Sequence, residues 1–157
     1  MIINADLHIH SQYSTATSPR MDLPTLATEA LRKGIQLLGT GDCLQPRWLQ
    51  EIKELEERNG IFYFKPEDEG TTHTNTNFVL TVEVEDTRRV HHLLIVPSIS
   101  KAEELYESFR KYSQDINSDG RPSLRLNGAE IAEYARDAEA LIGPCHAFTP
   151  YCFVRIS

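Results

Sequence analysis

The sequence predicts an α/β protein with roughly five parallel strands and helices packed outside them. Two observations carry this prediction. Strand-like and helix-like segments alternate along the 157 residues, and His, Asp or Glu residues stand at the ends of several strand-like segments. Because ligands gather at the carboxyl ends of parallel strands, the second observation predicts a site at one end of the sheet.

The first half of the chain predicts three strands and two helices. The strand-like segments are residues 2–10, 35–39 and 61–65. Asp22 is the expected N-cap of the first helix, whose apolar residues recur with helical spacing, and Gly34 is its expected end. Residues 47–59 repeat the helical period and predict the second helix.

The second half begins with a polar segment and continues with three strands and two helices. Residues 66–77, which are rich in Thr and Asn, predict an exposed loop that includes His73. The strands are expected at residues 78–84, 92–96 and 141–146. The helices are expected to begin at Ser100 and Asn127, because a glutamate follows each of them where a capping box requires it.

Composition and charge narrow the class of protein. No apolar run is long enough to span a membrane, and the N-terminus MIINADLHIH lacks the basic and apolar regions of a secretion signal. The three cysteines form no CxxC pair, which predicts a protein of the reducing cytoplasm. The formal net charge of -7 excludes a broadly basic nucleic-acid coat but permits a local phosphate site.

The first strand carries three polar residues on one face. Asp6, His8 and His10 alternate with apolar residues, and side chains of a strand alternate between its two faces. A row of imidazoles beside a carboxylate is costly to bury unless a ligand binds it, and a metal ion is the simplest such ligand. Two histidines in a strand are more often exposed or hydrogen-bonded than metal ligands, so the motif needs support from elsewhere in the chain.

Later strand ends supply that support. The further candidate residues are Asp42, Glu83, Glu85, His91, His92 and His146. Mixed imidazole and carboxylate ligands are typical of divalent metals such as zinc and manganese. The pattern therefore predicts a divalent metal site assembled from separate strands.

Some of these positions allow a second interpretation. Asp42 could cap the helix that follows it instead of binding metal. His91 and His92 point to opposite sides of a regular strand, and His92 is the expected ligand because its face continues into the apolar strand. Cys43 and Cys145 adjoin expected ligands, and the alternation of side chains predicts that both point away from the site as structural cysteines.

Two arginines directly follow the acidic strand end. One of Glu83 and Glu85 is expected to bind metal, while the other pairs with Arg88 or Arg89. The arginines could simply neutralise this acidic segment. They could also bind a phosphate through paired hydrogen bonds, which makes Arg88 and Arg89 the candidate phosphate-binding residues.

Four sequence blocks resemble a known family when they are taken together. The blocks ADLHIHSQYS, GTGD, TVEVEDTRRVHHLLIVPSIS and IGPCHAFTP resemble the PHP (polymerase and histidinol phosphatase) superfamily and, within it, the N-terminal part of the endonuclease Q family. This resemblance implies a distorted (β/α)7 barrel that holds two or three divalent ions, Zn, Mn or Mg, at its strand ends. It also implies a DNA endonuclease that nicks on the 5′ side of deaminated bases such as uracil and hypoxanthine.

The resemblance implies a role for each matching residue. The implied metal ligands are His8, His10, Asp42, Glu83, His92 and His146. Asp42, Glu83 and His146 are also the implied catalytic residues. Three further residues are expected to hold these ligands in position through hydrogen bonds without binding metal themselves, namely Asp6, Glu85 and His91. A damaged base would be recognised outside the base stack, in a separate pocket.

The sequence departs from the superfamily pattern in two places. Ala16 stands where many members have a further His or Asp, and the last motif, Asp-x-His, is absent. Residues 1–157 are therefore expected to form a partial, truncated PHP domain with an atypical tail at residues 151–157. An incomplete barrel exposes a strand edge and apolar helix faces, which predicts self-association or a missing C-terminal part supplied in trans.

Three functions follow from these observations. The first is a metal-dependent phosphoesterase that, by the resemblance, nicks DNA at deaminated bases and is present here as an N-terminal fragment. The second keeps the metal site but hydrolyses small phosphate monoesters, as histidinol-phosphatase relatives do. The third is a catalytically inactive half-barrel that acts only through a partner chain.

Overall fold

Strands and helices alternate along the protein, as a computed structural model shows for residues 2–65 and 76–148. The strands of these residues are β1 (Ala5–Asp6), β2 (Leu37–Gly39), β3 (Glu56–Arg58), β4 (Ile61–Tyr63), β5 (Asn77–Glu85), β6 (His91–Val96) and β7 (Leu141–Pro144). Their helices are α1 (Leu23–Arg32), α2 (Pro46–Ile52), α3 (Ile99–Phe109) and α4 (Gly128–Asp137). Most of the expected polar loop, with His73, and the tail at residues 151–157 lie outside the described residues.

The strands form one mixed sheet around β5. β1 pairs in parallel with β2, and β2 pairs in parallel with β5. β4 and β6 pair antiparallel with successive stretches of β5, while β3 and β7 extend the sheet beyond them. Because β7 is antiparallel to β6, it runs in the same direction as β1, β2 and β5.

The expected sheet of about five parallel strands is only partly present. β1, β2 and β5 pair in parallel, but the step from β5 to β6 is an antiparallel hairpin in which Glu85 pairs with His91. The connection at residues 86–90 is too short for the helical crossover that a parallel pair requires. Within the described residues, no pairing joins β7 to β1, so these strands do not close into a barrel.

Side-chain caps define where the helices begin. Asp22 accepts a hydrogen bond from a first-turn N–H of α1, and Asn127 forms the expected capping box with Glu130 at the start of α4. α3 begins earlier than expected, because its N-cap is Ser98 and not Ser100. None of the helices in the described residues is both long and apolar enough to cross a membrane.

The second helix is shorter than its periodicity predicts. α2 ends at Ile52, and residues 56–58 form β3. β3 and β4 make a hairpin whose two turn residues, Asn59 and Gly60, have φ values of 54° and 77°. Asn-Gly is a strong signal for a two-residue hairpin turn, so here it connects two strands and does not end a helix.

The hydrophobic core fixes the backbone next to the strand ends. Trp48, Phe62 and Phe78 are among the largest side chains of one buried apolar cluster. The indole N–H of Trp48 donates to the carbonyl oxygens of Thr40 and Gly41, at 3.1 and 2.9 Å. A buried indole stabilises its surroundings when its N–H is satisfied, so α2 anchors the segment that follows β2.

We expect the capping box of α4 to contribute measurably to stability. Asn127→Ala removes the acceptor of two first-turn N–H groups and should lower the free energy of unfolding by about 1 kcal/mol. Asn127→Ser keeps a side-chain acceptor and should stay close to the unmodified protein. Urea unfolding followed by circular dichroism measures both variants, and equal losses in the two would contradict the capping role.

Candidate metal centre

A buried glutamate lies at the meeting point of four imidazoles. The side chain of Glu83 is only 1% exposed. Its Oε1 lies 2.6 Å from His91 Nδ1 and 3.0 Å from His146 Nε2. Its Oε2 lies 3.0 Å from His10 Nε2 and 3.3 Å from His8 Nε2. These five residues form the Glu83 cluster.

Strand direction brings the members of the Glu83 cluster together. β1, β5 and β7 run in the same direction, so their carboxyl ends lie at the same edge of the sheet. His8 and His10 follow β1, Glu83 is near the end of β5, and His146 follows β7. β6 runs in the opposite direction and begins at this edge with His91. The structure therefore brings four of the expected metal ligands into contact and adds His91.

His91, and not His92, faces Glu83. In the hairpin of β5 and β6, His91 pairs with Glu85, which shares a strand face with Glu83. His92 consequently points to the opposite face, where its Nε2 lies 3.2 Å from Asp86 Oδ2. The expectation that His92 faces the site is therefore wrong. The apolar face of the strand did not reveal the register of the hairpin, and the register decides which histidine points inward.

Asp42 is fully buried beside the Glu83 cluster. Its Oδ2 accepts hydrogen bonds from Ser11 N at 2.6 Å, Ser11 Oγ at 2.7 Å and Ser14 Oγ at 2.8 Å. Its Oδ1 lies 3.2 Å from His10 Nδ1. Asp42 does not cap a helix, since the N-cap of α2 is Gln45. Its contact with the Glu83 cluster therefore runs through His10.

A glycine allows a distant loop to pack against Asp42. A Cβ atom at Gly120 would overlap the Asp42 carboxylate. The Gly120 N–H donates to Tyr13 O at 3.0 Å, which ties this loop to the segment that follows β1. Asp42 is thus enclosed from both sides, and only a residue without a side chain fits at position 120.

The two buried carboxylates act on the charge of the imidazole that lies between them, that of His10. The neighbouring Asp42 and Glu83 carboxylates raise the pKa of His10 to about 9. Burial by itself would raise the pKa of Glu83, but the His10 and His8 rings hold that pKa far below the usual range of a glutamate. Glu83 therefore stays ionised, and the His10 ring beside it favours a positive charge, carried as a proton or by a metal ion.

One oxygen of Glu83 is suited to hold a cation. Within the part of the chain that the structure describes, Glu83 Oε2 is buried and accepts no hydrogen bond, although nitrogens of His8 and His10 lie within 3.3 Å. A buried carboxylate oxygen without a donor is costly. A metal ion bound by this oxygen and the neighbouring imidazole nitrogens would satisfy it, so the donor set fits a divalent ion.

Cys145 adds a sulfur atom at the edge of the Glu83 cluster. It is buried, as a structural cysteine would be, but its Sγ lies within 4.8 Å of ligand atoms of His8, Glu83 and His146. The expectation that it points away is wrong, because the strand ends before it and regular alternation ends with the strand. Cys43 does lie in the apolar core, where burial raises the pKa of its thiol.

Within the described residues, neither of the two arginines expected to bind phosphate forms an ion pair with Glu83. Arg88 and Arg89 are exposed residues of the connection between β5 and β6. Arg88 lines a cavity of about 740 Å³ together with His92, which points away from the cluster. A different arginine, Arg121, places Nη1 4.0 Å from Glu83 Oε2.

Asp6 and Glu85, the two acidic residues expected to orient the ligands, contact different groups of the histidines. Asp6 Oδ1 accepts a hydrogen bond from the backbone N–H of His8 at 3.2 Å, so Asp6 holds the chain and not the ring. Glu85 Oε2 lies 3.1 Å from His91 Nε2, while the other nitrogen of His91 faces Glu83. Glu85 therefore contacts His91 at the edge of the cluster, and Glu83 lies at the centre of the cluster.

Three residues beside the cluster were missed from the sequence. Ser11 and Ser14 hold Asp42, and Arg121 lies at the cluster. The serines directly follow the HIH motif, and this proximity was the available signal for them. Arg121 follows Gly120 in a loop far from every other motif, and no pattern in the sequence connects that loop with Glu83.

The chain is similar, over nearly its whole length, to part of a known nuclease. The crystal structure of the lesion-specific endonuclease Q from Pyrococcus furiosus matches 96% of the chain, with a TM-score of 0.86 and 47% sequence identity. A crystal structure of endonuclease Q with a 27-mer duplex substrate, which has an abasic lesion at the active site, matches 97% with the same TM-score and identity. The chain spans 36% and 37% of those proteins, so its resemblance to a part of endonuclease Q is confirmed.

A curated relative shows the same partial coverage. An uncharacterized protein of Methanocaldococcus jannaschii is 43% identical over 150 residues, which make up 96% of this chain and 17% of that protein. No protein-family model matches the chain.

Gly120→Ala tests how tightly the loop packs against Asp42. The added Cβ would overlap the Asp42 carboxylate, so we expect the free energy of unfolding to fall by about 1–3 kcal/mol. Gly143→Ala is the matched control, because a Cβ at Gly143 meets no atom of the described residues within 4 Å. Urea unfolding compares the two variants. Equal stability would show that the Asp42 pocket relaxes without cost.

Proposed function

We propose that this chain forms a divalent-metal centre that cleaves phosphodiester bonds at lesions in DNA, as an endonuclease of the endonuclease Q type. One observation carries the proposal. A buried carboxylate, Glu83, lies within 3.3 Å of nitrogens from four imidazoles, in a chain 47% identical to a lesion-specific endonuclease. Among the described residues, Oε2 of this carboxylate accepts no well-aligned hydrogen bond, although imidazole nitrogens of His8 and His10 lie within 3.3 Å, and a cation shared by these three groups would account for that arrangement.

The proposed metal ligands are His8, His10, Glu83 and His146. Cys145 lies within reach of the same position. A thiolate beside imidazoles favours zinc over manganese or magnesium. His92, expected as a ligand, is not part of this proposal, because its ring faces Asp86.

Asp42 and His91 are proposed as positioning residues. Asp42 Oδ1 is near His10 Nδ1, which fixes the ring so that Nε2 faces Glu83. His91 lies between Glu83 and Glu85, and this contact sets the direction of the Glu83 carboxylate. Asp42 was expected to bind metal, but its Oδ2 is fully engaged by Ser11 and Ser14.

The proposed chemistry is metal-assisted hydrolysis. A divalent ion bound by these residues would lower the pKa of a bound water and stabilise negative charge on the phosphoryl oxygens. The chain supplies an ionised, buried Glu83 and imidazoles held in fixed directions. The side chains of His8 and His146 are 31% and 37% exposed, so a phosphate group can approach the cluster from their side.

The proposed substrate is duplex DNA with a deaminated base, uracil or hypoxanthine. The similarity to endonuclease Q supports a duplex with a lesion, since one such structure holds a duplex with an abasic lesion at its active site, while the deaminated base is what the sequence resemblance implies. The acidic net charge of -7 indicates that this chain would contact DNA locally, at the cluster, and not through a broad basic surface.

A comparison of two substrate classes tests the proposed function. With Zn or Mn added, we expect the full chain to nick a uracil-containing duplex and to leave the matched undamaged duplex intact, and a chelator should abolish nicking. Release of phosphate from a small monoester without nicking would replace the endonuclease with a phosphatase. Metal binding without either activity would favour a chain that acts only through a partner.

The neighbouring histidines of β6 provide a matched pair of variants. His91→Gln removes the ring that contacts Glu83, and we expect metal affinity to fall about 10–100-fold. His92→Gln alters a ring on the opposite face and should leave metal affinity unchanged. Isothermal titration with zinc measures both, after circular dichroism has shown that each variant is folded. A larger loss for His92→Gln would contradict the assignment of faces.

A further inference from the structure

One basic side chain lies at the edge of the Glu83 cluster. Arg121 Nη1 is 4.0 Å from Glu83 Oε2, and the Arg121 side chain is 37% exposed. In the described part of the chain, no other lysine or arginine forms an ion pair with Glu83, and the Arg121 guanidinium donates no hydrogen bond to a protein acceptor. Its N–H donors are therefore available to a ligand that approaches the cluster from solvent.

The backbone on both sides of Arg121 is held in place. The preceding residue, Gly120, donates its N–H to Tyr13 O at 3.0 Å. The following residue, Pro122, accepts a hydrogen bond from Glu85 N at 3.0 Å. The Arg121 N–H itself donates to Asp119 Oδ1 at 3.0 Å. These contacts tie Arg121 to the segment after β1 and to the end of β5, which are two of the four segments that carry the cluster.

Arg121 is poorly explained as a structural partner of Glu83. Four imidazole nitrogens already lie closer to the Glu83 carboxylate than the guanidinium does. A partly exposed ion pair at 4.0 Å contributes little to stability. The Asp119 carboxylate is also near enough for its pKa to be lowered by Arg121, but no described acceptor takes a guanidinium N–H, so these donors can bind an anion from outside the chain.

We infer that Arg121 binds the non-bridging oxygens of the phosphate that is cleaved at the Glu83 cluster. This inference rests on the proposed function. A guanidinium is always charged and presents a planar set of donors that matches two phosphate oxygens, so it orients the phosphate as well as attracting it. Arg121 thereby takes the role that the sequence suggested for Arg88 and Arg89, neither of which forms an ion pair with Glu83 in the described part of the chain.

Variants at position 121 test this role against matched controls. With the full chain and added zinc, Arg121→Ala should reduce kcat/KM for nicking a uracil-containing duplex about 10–100-fold, the loss expected for a charge-assisted hydrogen bond. Arg121→Lys keeps the charge but loses the paired geometry, so it should recover part of the loss. Arg88→Ala and Arg89→Ala remove exposed arginines of the connection between β5 and β6 and should stay within about twofold of the unmodified chain.

Two further measurements separate phosphate binding from a structural role. The zinc content of Arg121→Ala should equal that of the unmodified chain, because Arg121 is not a ligand. Its affinity for the duplex, measured by fluorescence anisotropy against salt concentration, should show a salt slope smaller by about one phosphate contact. Loss of zinc together with activity would overturn the inference, and so would a salt slope equal to that of Arg88→Ala.

The outcomes also distinguish this inference from the proposed function. If the unmodified chain nicks the duplex and Arg121→Ala behaves like Arg88→Ala, only the inference fails. If the unmodified chain binds the duplex without nicking it, the anisotropy comparison alone decides on Arg121. If the unmodified chain binds neither zinc nor the duplex, the proposed function fails first, and the inference fails with it.

Discussion

Removing the Glu83 carboxylate from water is expensive, and the cost is offset only where hydrogen-bonding or cationic partners surround the group. Its four imidazole partners come from three segments, after β1, at the start of β6 and after β7. These segments reach Glu83 only because the strands between them pair as they do around β5. The cluster is therefore a product of the whole sheet, and displacement of any of these strands would change the charge balance at Glu83.

The second buried carboxylate is balanced in a different way. Asp42 is held by hydroxyl and backbone donors of the segment that follows β1, and the one imidazole near it among residues 2–65 and 76–148 is that of His10. Close backbone contact makes this possible, since a Cβ at Gly41 would overlap the carbonyl of Ile9. His10 has Nδ1 near Asp42 and Nε2 near Glu83, so one ring couples the two carboxylates.

The sequence predicted several of the side chains that gather at Glu83, but not all of them. Alternation at residues 6–10 predicted that His8 and His10 lie together, and both do contact Glu83, although β1 ends at Asp6 before either histidine. Position near strand ends indicated Glu83 and His146. Both signals depend only on residues that are close in sequence, so they do not require knowledge of how the strands pair. The number of parallel strands was overestimated, because alternation of elements does not fix pairing direction. Arg121 could not be found, because its contact depends on a loop that packs against a distant carboxylate.

The choice between His91 and His92 depended on the hairpin register, and the opposite face of β6 shows how that register is held. Asp86 accepts hydrogen bonds from Arg88 N at 2.7 Å and Val90 N at 3.0 Å, which closes the connection between β5 and β6. Burial would raise the pKa of Asp86, but the Val90 N–H and the His92 ring hold it below its usual value. The carboxylate therefore stays ionised and keeps these donors.

A shift of this hairpin by one residue would exchange the faces of the two histidines. The contact of His92 with Asp86, 3.2 Å from Nε2 to Oδ2, favours the observed register. The turn is closed by the backbone N–H groups of Arg88 and Val90, so the direction of His91 toward Glu83 does not require the His92 ring. The two adjacent histidines therefore contact different carboxylates. The pairing of the strands decides which histidine contacts which carboxylate, and neither residue by itself predicts that pairing.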